Sequence, residues 1–197
     1  TSGQFTGGLF GSLEGTGNTT TIENCWFDGT VTSTGGNAGG IAGIVDKAGK
    51  KVISNCLVTG SVVSSSRDVG GLIGRVTNGT PLLLSNSISA PKTLSGTSYV
   101  GGGIGIVDQT SNKTVIINDV YTTESTGVVY GNMQYGAVSV DVDLVGDNGF
   151  VNTMLDFDKY WTTVDGGTPE LRTFAKKEQT APNKNRKIVV SLDWACD

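Results

Sequence analysis

Asp141 and Asp143 stand two residues apart in the alternating run Ala137-Val138-Ser139-Val140-Asp141-Val142-Asp143-Leu144. On a strand that spacing turns both carboxylates to one face. A carboxylate pair is the minimum equipment for cleaving a glycosidic bond, and the same oxygens are hard-cation ligands, so these two residues are the candidate acid/base pair and the candidate calcium site. Asp156 and Asp158 repeat the spacing beside Tyr160 and Trp161, and Asp147-Asn148-Gly149 offers further oxygens. No lysine or arginine adjoins Asp141 or Asp143 to assist proton abstraction, and two or three oxygens are few for calcium. A solvated polar strand face is the stronger reading of both pairs.

Other chemistry is limited by what the chain lacks. There is no histidine, which excludes Ser-His-Asp and Cys-His nucleophilic systems and histidine-ligated zinc in their usual forms. The chain is therefore expected not to be an enzyme. Tyr160 and Trp161 are the candidate ligand-binding residues: outward-facing they could stack on a sugar ring, and inward-facing they would pack a cap. Cys25 and Cys56 are read below either as a disulfide or as stacked thiols, and Cys196 has no evident partner.

Whatever these groups do, a repeated unit must position them. Gly7-Gly8-Leu9-Phe10-Gly11, Gly39-Gly40-Ile41-Ala42-Gly43, Gly70-Gly71-Leu72-Ile73-Gly74 and Gly101-Gly102-Gly103-Ile104-Gly105 begin 32, 31 and 31 residues apart. Fixed-period self-similarity marks units that bury their apolar faces by stacking on one another. A second landmark follows each glycine group: Ile22-Glu23-Asn24-Cys25, Ile53-Ser54-Asn55-Cys56, Leu84-Ser85-Asn86-Ser87 and Ile116-Ile117-Asn118-Asp119. Aligned on the asparagines, these give apolar columns Ile22/Ile53/Leu84/Ile116 and Trp26/Leu57/Ile88/Val120. Period-two alternation then predicts residues 22, 24 and 26 inward and Cys25 and Phe27 outward.

The link between copies is too long for a hairpin, so like positions meet as parallel, in-register neighbours. The predicted fold is all-β: a right-handed parallel β-helix of four to five rungs, the hand following the general crossover rule. Asn24, Asn55, Asn86 and Asn118 are expected to form an internal amide ladder. The paired glycines are expected to turn corners at positive φ. Stacked Cys25 and Cys56 would bring their Cα atoms within disulfide range, although side-by-side Cβ vectors favour free thiols.

Beyond residue 125 the phase degrades. Gly127-Val128-Val129-Tyr130-Gly131 reads as a worn fifth copy, and the aromatic stretch through Trp161 to Arg172 reads as an irregular C-terminal cap protecting the last rung. The expected organisation is a β-helix with its cap over residues 1–174, a linker over 175–187, and a tail strand or the start of a further domain over 188–197. The linker carries Lys176, Lys177, Lys184, Arg186 and Lys187 against Glu178, which leaves an acidic repeat body within a chain of net charge −4. Such a body does not suit nucleic acid, and no apolar run is long enough to span a bilayer. With Thr1 followed almost at once by a repeat, the chain is expected to belong to a longer polypeptide.

Val69-Gly70-Gly71-Leu72-Ile73-Gly74, then Ile53-Ser54-Asn55-Cys56 and Val58-Thr59-Gly60-Ser61-Val62, resemble the GLUG motif of bacterial cell-surface, adhesin-like and IgA-peptidase-like proteins. The resemblance covers about residues 5–125, and Phe157-Asp158-Lys159-Tyr160-Trp161 with Gly166-Gly167-Thr168-Pro169-Glu170-Leu171 is similar to the segment that ends such arrays. Copy three departs with Ala90-Pro91, and copy four with Thr123, where Gly29 and Gly60 stand. The resemblance implies a secreted or cell-surface module that binds or spaces, with host or bacterial glycan or protein as partner and no cofactor. A polysaccharide lyase or glycosidase on the same scaffold is the competing class.

Overall fold

The computed structural model describes residues 4–77, 79–108, 115–123, 130–134, 144–145, 154–164 and 167–175. Among them there are strands and no helix. The predicted coil is present: a parallel β-helix of about four turns. The first turn comprises β1 (Thr6–Gly7), β2 (Phe10–Leu13), β3 (Thr20–Glu23), β4 (Trp26–Phe27) and β5 (Thr30–Ser33). The second repeats it as β6 (Ala38–Gly39), β7 (Ala42–Val45), β8 (Lys51–Ser54), β9 (Leu57–Val58) and β10 (Ser61–Ser64). The third has β11 (Val69–Gly70), β12 (Ile73–Val76), β13 (Leu82–Ser89) and β14 (Thr93–Ser95), and the fourth β15 (Val100–Gly101), β16 (Ile104–Asp108) and β17 (Val115–Thr123).

Each strand lies parallel to its counterpart in the next turn, for example Ile22 with Ile53 and Ile53 with Leu84. The worn fifth copy pairs as expected: β18 (Tyr130–Gln134) sets Tyr130 beside Ile104. Leu144 and Val145, as β19, pair with Thr122 and Thr123. Among the described residues the only antiparallel pair joins β20 (Trp161–Thr162) to β21 (Glu170–Leu171).

Three sequence-based expectations are corrected. The first concerns faces. Cys25 and Cys56 are buried in the lumen, where Phe27 also packs, while Trp26 and Leu57 belong to a separate cluster on the flank. The cause is Asn24, Asn55 and Asn86 at φ 56°, 50° and 47°. A left-handed residue interrupts two-residue alternation, so Ile22 and Cys25 both face in although three apart; asparagine is among the few L-residues that tolerate this.

The second concerns register. Leu84 pairs with Ile117 and Ser85 with Asn118, so the fourth copy contributes Asp119, at φ 52°, to the column of Asn24, Asn55 and Asn86. Asn118 stands one place out of that column, and Tyr121 rather than Val120 follows Ile88. The column is therefore a corner of left-handed residues, three asparagines and an aspartate.

The third concerns the glycine pairs. Positive φ at that corner falls on Asn37, Asp68 and Tyr99 (45°, 62°, 52°), not on the pairs. Glycine is needed there for close approach: a Cβ on Gly70 would sit 1.9 Å from Ile73 O and 2.7 Å from Gly105 N.

The lumen is filled by aliphatic columns such as Ala42/Ile73/Ile104 and Val45/Val76/Val107, all 0% exposed. Each fully buried Ile, Leu or Val contributes about 1.5–3 kcal/mol. The aromatic segment packs differently from the expected end plug. Leu155, Trp161 and Leu171, with Phe157, Tyr160 and Phe174 against them, cover Trp26, Leu57, Ile88 and Tyr121, one residue from each turn. The segment braces the side of the coil.

Candidate functional site

β5, β10 and β14 lie side by side in parallel, and alternation along them sends Val31, Val62 and Leu94 toward the interior. The opposite face presents Thr30, Ser61 and Thr93 in one row and Thr32, Val63 and Ser95 in the next. Thr30, Thr32, Thr93 and Ser95 are exposed. Rows recur roughly 4.8 Å apart from turn to turn and roughly 6.7 Å apart along a strand, a lattice in which every side chain but Val63 carries a β-hydroxyl. At its rim Lys92 Nζ meets Asp28 Oδ1 at 3.0 Å, tying turn three to turn one. The hydrogen bond from Lys92, against a smaller desolvation penalty, holds the Asp28 carboxyl below its usual range. Chemically this surface can exchange hydrogen bonds with a hydroxyl-rich partner and offers little charge. Sequence reasoning missed it, although the signal was there in Thr30-Val31-Thr32, Ser61-Val62-Val63 and Thr93-Leu94-Ser95.

The residues singled out by sequence have other surroundings. Trp161 is 0% exposed within the flank cluster, and its Nε1 has no hydrogen-bond partner among the described residues. It cannot stack on a ligand from there. Tyr160 is half-buried, with the Lys159 ammonium 4.6 Å from its ring centre. Asp156 Oδ1 accepts from the amides of Asp158 and Lys159 at 3.1 and 2.9 Å, the work of a turn cap. Asp141, Asp143, Asp147, residues 176–187 of the expected linker and the expected tail strand lie outside the described residues. Among the described residues no group of three metal-ligating side chains occurs, and no helix is long and apolar enough to cross a membrane.

Two carboxylates do flank a base elsewhere. Arg75 donates to Asp108 through Nε at 2.7 Å and through Nη2, and its Nη1 lies 3.6 Å from the buried Asp68. Arg67, over the Tyr99 ring at 4.9 Å, also bonds Asp68 at 3.0 Å. Each acid is already engaged by a guanidinium, so the cluster is built as an ion-pair network. Lys51, 1% exposed, is another internal cation: its Nζ donates to the carbonyls of Gly15 (3.0 Å), Lys47 (3.4 Å) and Gly49 (2.8 Å). Desolvation lowers its pKa, opposed by Asp46 and Glu14.

The two stacked cysteines are not joined to each other. Cys25 is disulfide-bonded, whereas Cys56 is a free, buried thiol whose Sγ donates to Ser54 O at 3.3 Å. Burial pushes the Cys56 thiol up to about 12. In the first turn a cleft of ≈ 270 Å³ is lined by Thr6, Gly7, Gly8, Phe27, Thr30, Val31 and Thr32. Fold and surface together define a β-solenoid repeat module. No family model, curated protein or solved structure matches the chain.

Proposed function

We propose that this chain is a non-catalytic module, secreted or held at a bacterial cell surface, that displays the hydroxyl lattice of β5, β10 and β14 toward a glycan and spaces it from its anchor. The observation that carries this reading is the lattice itself. Its members in the first and third turns, Thr30, Thr32, Thr93 and Ser95, are exposed and those in the second, Ser61 and Val63, are half-buried, while Trp161 and the acids around Arg75 are committed to holding the fold together. A sugar polymer is the matching chemistry, because it offers repeated hydroxyls and little charge. The disulfide at Cys25 supports an oxidising compartment. The GLUG-like motifs support the same placement.

The carbohydrate-active alternative draws on Asp68 and Asp108 flanking Arg75, and it needs at least one of those carboxylates released from its guanidinium partner to exchange a proton. A glycan array and a reducing-sugar release assay on the same polysaccharides separate the two. Binding without release is expected, abolished by Thr93→Glu with Ser95→Glu at unchanged circular dichroism. Sugar release, or binding indifferent to the double substitution, would overturn the proposal.

A further inference from the structure

The ion pair at the rim of the hydroxyl lattice is built with more support than a surface contact uses. Lys92 Nζ meets Asp28 Oδ1 at 3.0 Å, with the two side chains 69% and 44% exposed. A pair so exposed contributes little to stability, because solvent screening and the ordering of a long side chain offset its attraction. Yet Lys92 belongs to the third turn and its amide donates to Gly60 O of the second at 3.0 Å. Its side chain therefore passes an entire turn to reach an acid of the first.

That acid is also held from behind. Trp26 Nε1 donates to Thr59 Oγ1 at 2.8 Å. An indole nitrogen is only a donor, so the Thr59 oxygen accepts there and its own proton is left to donate, which it does to the Asp28 carboxylate. The Trp26 ring is set against the flank core, 6.0 Å from that of Phe174. Asp28 is thus aimed by two fixed groups rooted in the brace, while its outer side meets solvent. Support placed one layer behind an exposed group is what keeps a recognition residue in position.

The groups still open at the surface define a ligand. A carboxylate offers about four lone-pair sites and an ammonium three donors. Lys92 and Thr59 take two of the former, and Asp28 takes one of the latter. About two acceptors and two donors remain side by side. Two neighbouring hydroxyls on one sugar ring match that set, each giving its proton to the carboxylate and accepting one from the ammonium. The pair has no net charge, so any attraction of Lys92 for an anionic sugar is opposed by Asp28. Asp28 stands two residues before Thr30, Thr59 two before Ser61, and Lys92 one before Thr93. A ring held by the pair therefore lies beside the first row of lattice hydroxyls.

We propose that Asp28 and Lys92, with Thr59 as a positioning residue, form a subsite for a vicinal diol of a neutral sugar ring at the edge of the hydroxyl lattice. The proposal rests on the glycan reading above. It adds the feature by which one sugar is told from another, the lattice supplying extent and the pair selectivity.

The test places the full chain on an array of mannan, galactan, xylan and dextran, each native and after periodate oxidation with borohydride reduction, which cuts the carbon–carbon bond of a vicinal diol. Wild type is expected to bind at least one native polymer roughly tenfold or more tightly than its oxidised form. Asp28→Asn keeps the shape but loses an acceptor and the charge, and should weaken that binding roughly tenfold or more and erase the preference for the native polymer. Lys92→Ala should weaken it about fivefold. Thr59→Val should lower the preference and Thr59→Ser, which keeps the hydroxyl, should restore it; lost packing alone would weaken binding to both forms alike. Binding that Thr93→Glu with Ser95→Glu abolishes but Asp28→Asn leaves unchanged would overturn the subsite and leave the lattice reading standing. So would equal binding of native and oxidised polymers. Binding to no member of the panel would overturn both.

Discussion

In the lumen each column is filled by one kind of side chain turn after turn, as in Ile22, Ile53, Leu84 and Ile117. On the flank the column changes from Trp26 through Leu57 and Ile88 to Tyr121, and one segment that never repeats covers all four. The two cores therefore depend on different information. A lumen column needs only that each copy resemble the last, since neighbouring turns supply each other's contacts. The flank needs residues far apart in sequence, Trp161 and Leu171, to meet a surface assembled from every turn. Lumen stability should be shared along the stack, and flank stability should behave as a single unit.

The harshest way to break the first half of this contrast is Gly70→Ala. Its Cβ would meet backbone atoms of its own turn and of the next, neither of which can swing away. We expect a loss above about 4 kcal/mol in urea unfolding; a loss below 1 kcal/mol would mean that the turns are not tightly stacked there. Trp161→Ala should cost about 3–5 kcal/mol, with faster hydrogen exchange at residues 155–172 and little change in lumen amides. Uniform loss of protection would show that the flank is not a separable unit. Asn55→Val should cost about 1–2 kcal/mol from its left-handed φ, whereas Asn55→Gly should be close to neutral; equal costs would return the asparagine column to side-chain bonding. Lys92→Ala is the gentlest, under about 1 kcal/mol, because the pair is 69% and 44% exposed. The Asp28 carboxyl is held below its usual value, so its small contribution is present at neutral pH and fades as the pH falls through that lowered value. A pH dependence identical in wild type and Lys92→Ala would contradict this.

The period, the parallel stacking and the fifth copy at Tyr130 were legible because columns of like residues announce in-register turns. The faces after each asparagine were not, since an alternation rule carries no notice that one residue adopts positive φ and reverses the parity. Asn118 misled the alignment for a related reason: Asp119 can take the same backbone conformation, so the conformation persisted while the letter moved. The glycine pairs were read correctly as necessary and wrongly as to cause, because crowding from an adjacent turn is invisible along one chain. The flank was hidden most completely. Trp26, Leu57 and Ile88 look like lumen residues until the reversal is known, and nothing local states that Leu155, Trp161 and Leu171 pack beside the coil rather than across its end. The hydroxyl lattice lay within reach, as Thr30-Val31-Thr32 and Thr93-Leu94-Ser95 alternate fully at a fixed place in their copies and Ser61-Val62-Val63 does so in part.

A solenoid made only of interchangeable turns has no preferred length, and duplicating Ser61 to Pro91, one 31-residue period, would extend the body by roughly 4.8 Å. The lateral segment removes that freedom. Its span matches four levels, so a fifth interposed level would leave one apolar side chain bare, and a hydrophobic dye should register it where a shorter or longer unbraced stack would not. The segment acts as a tally, setting how many storeys this molecule can have.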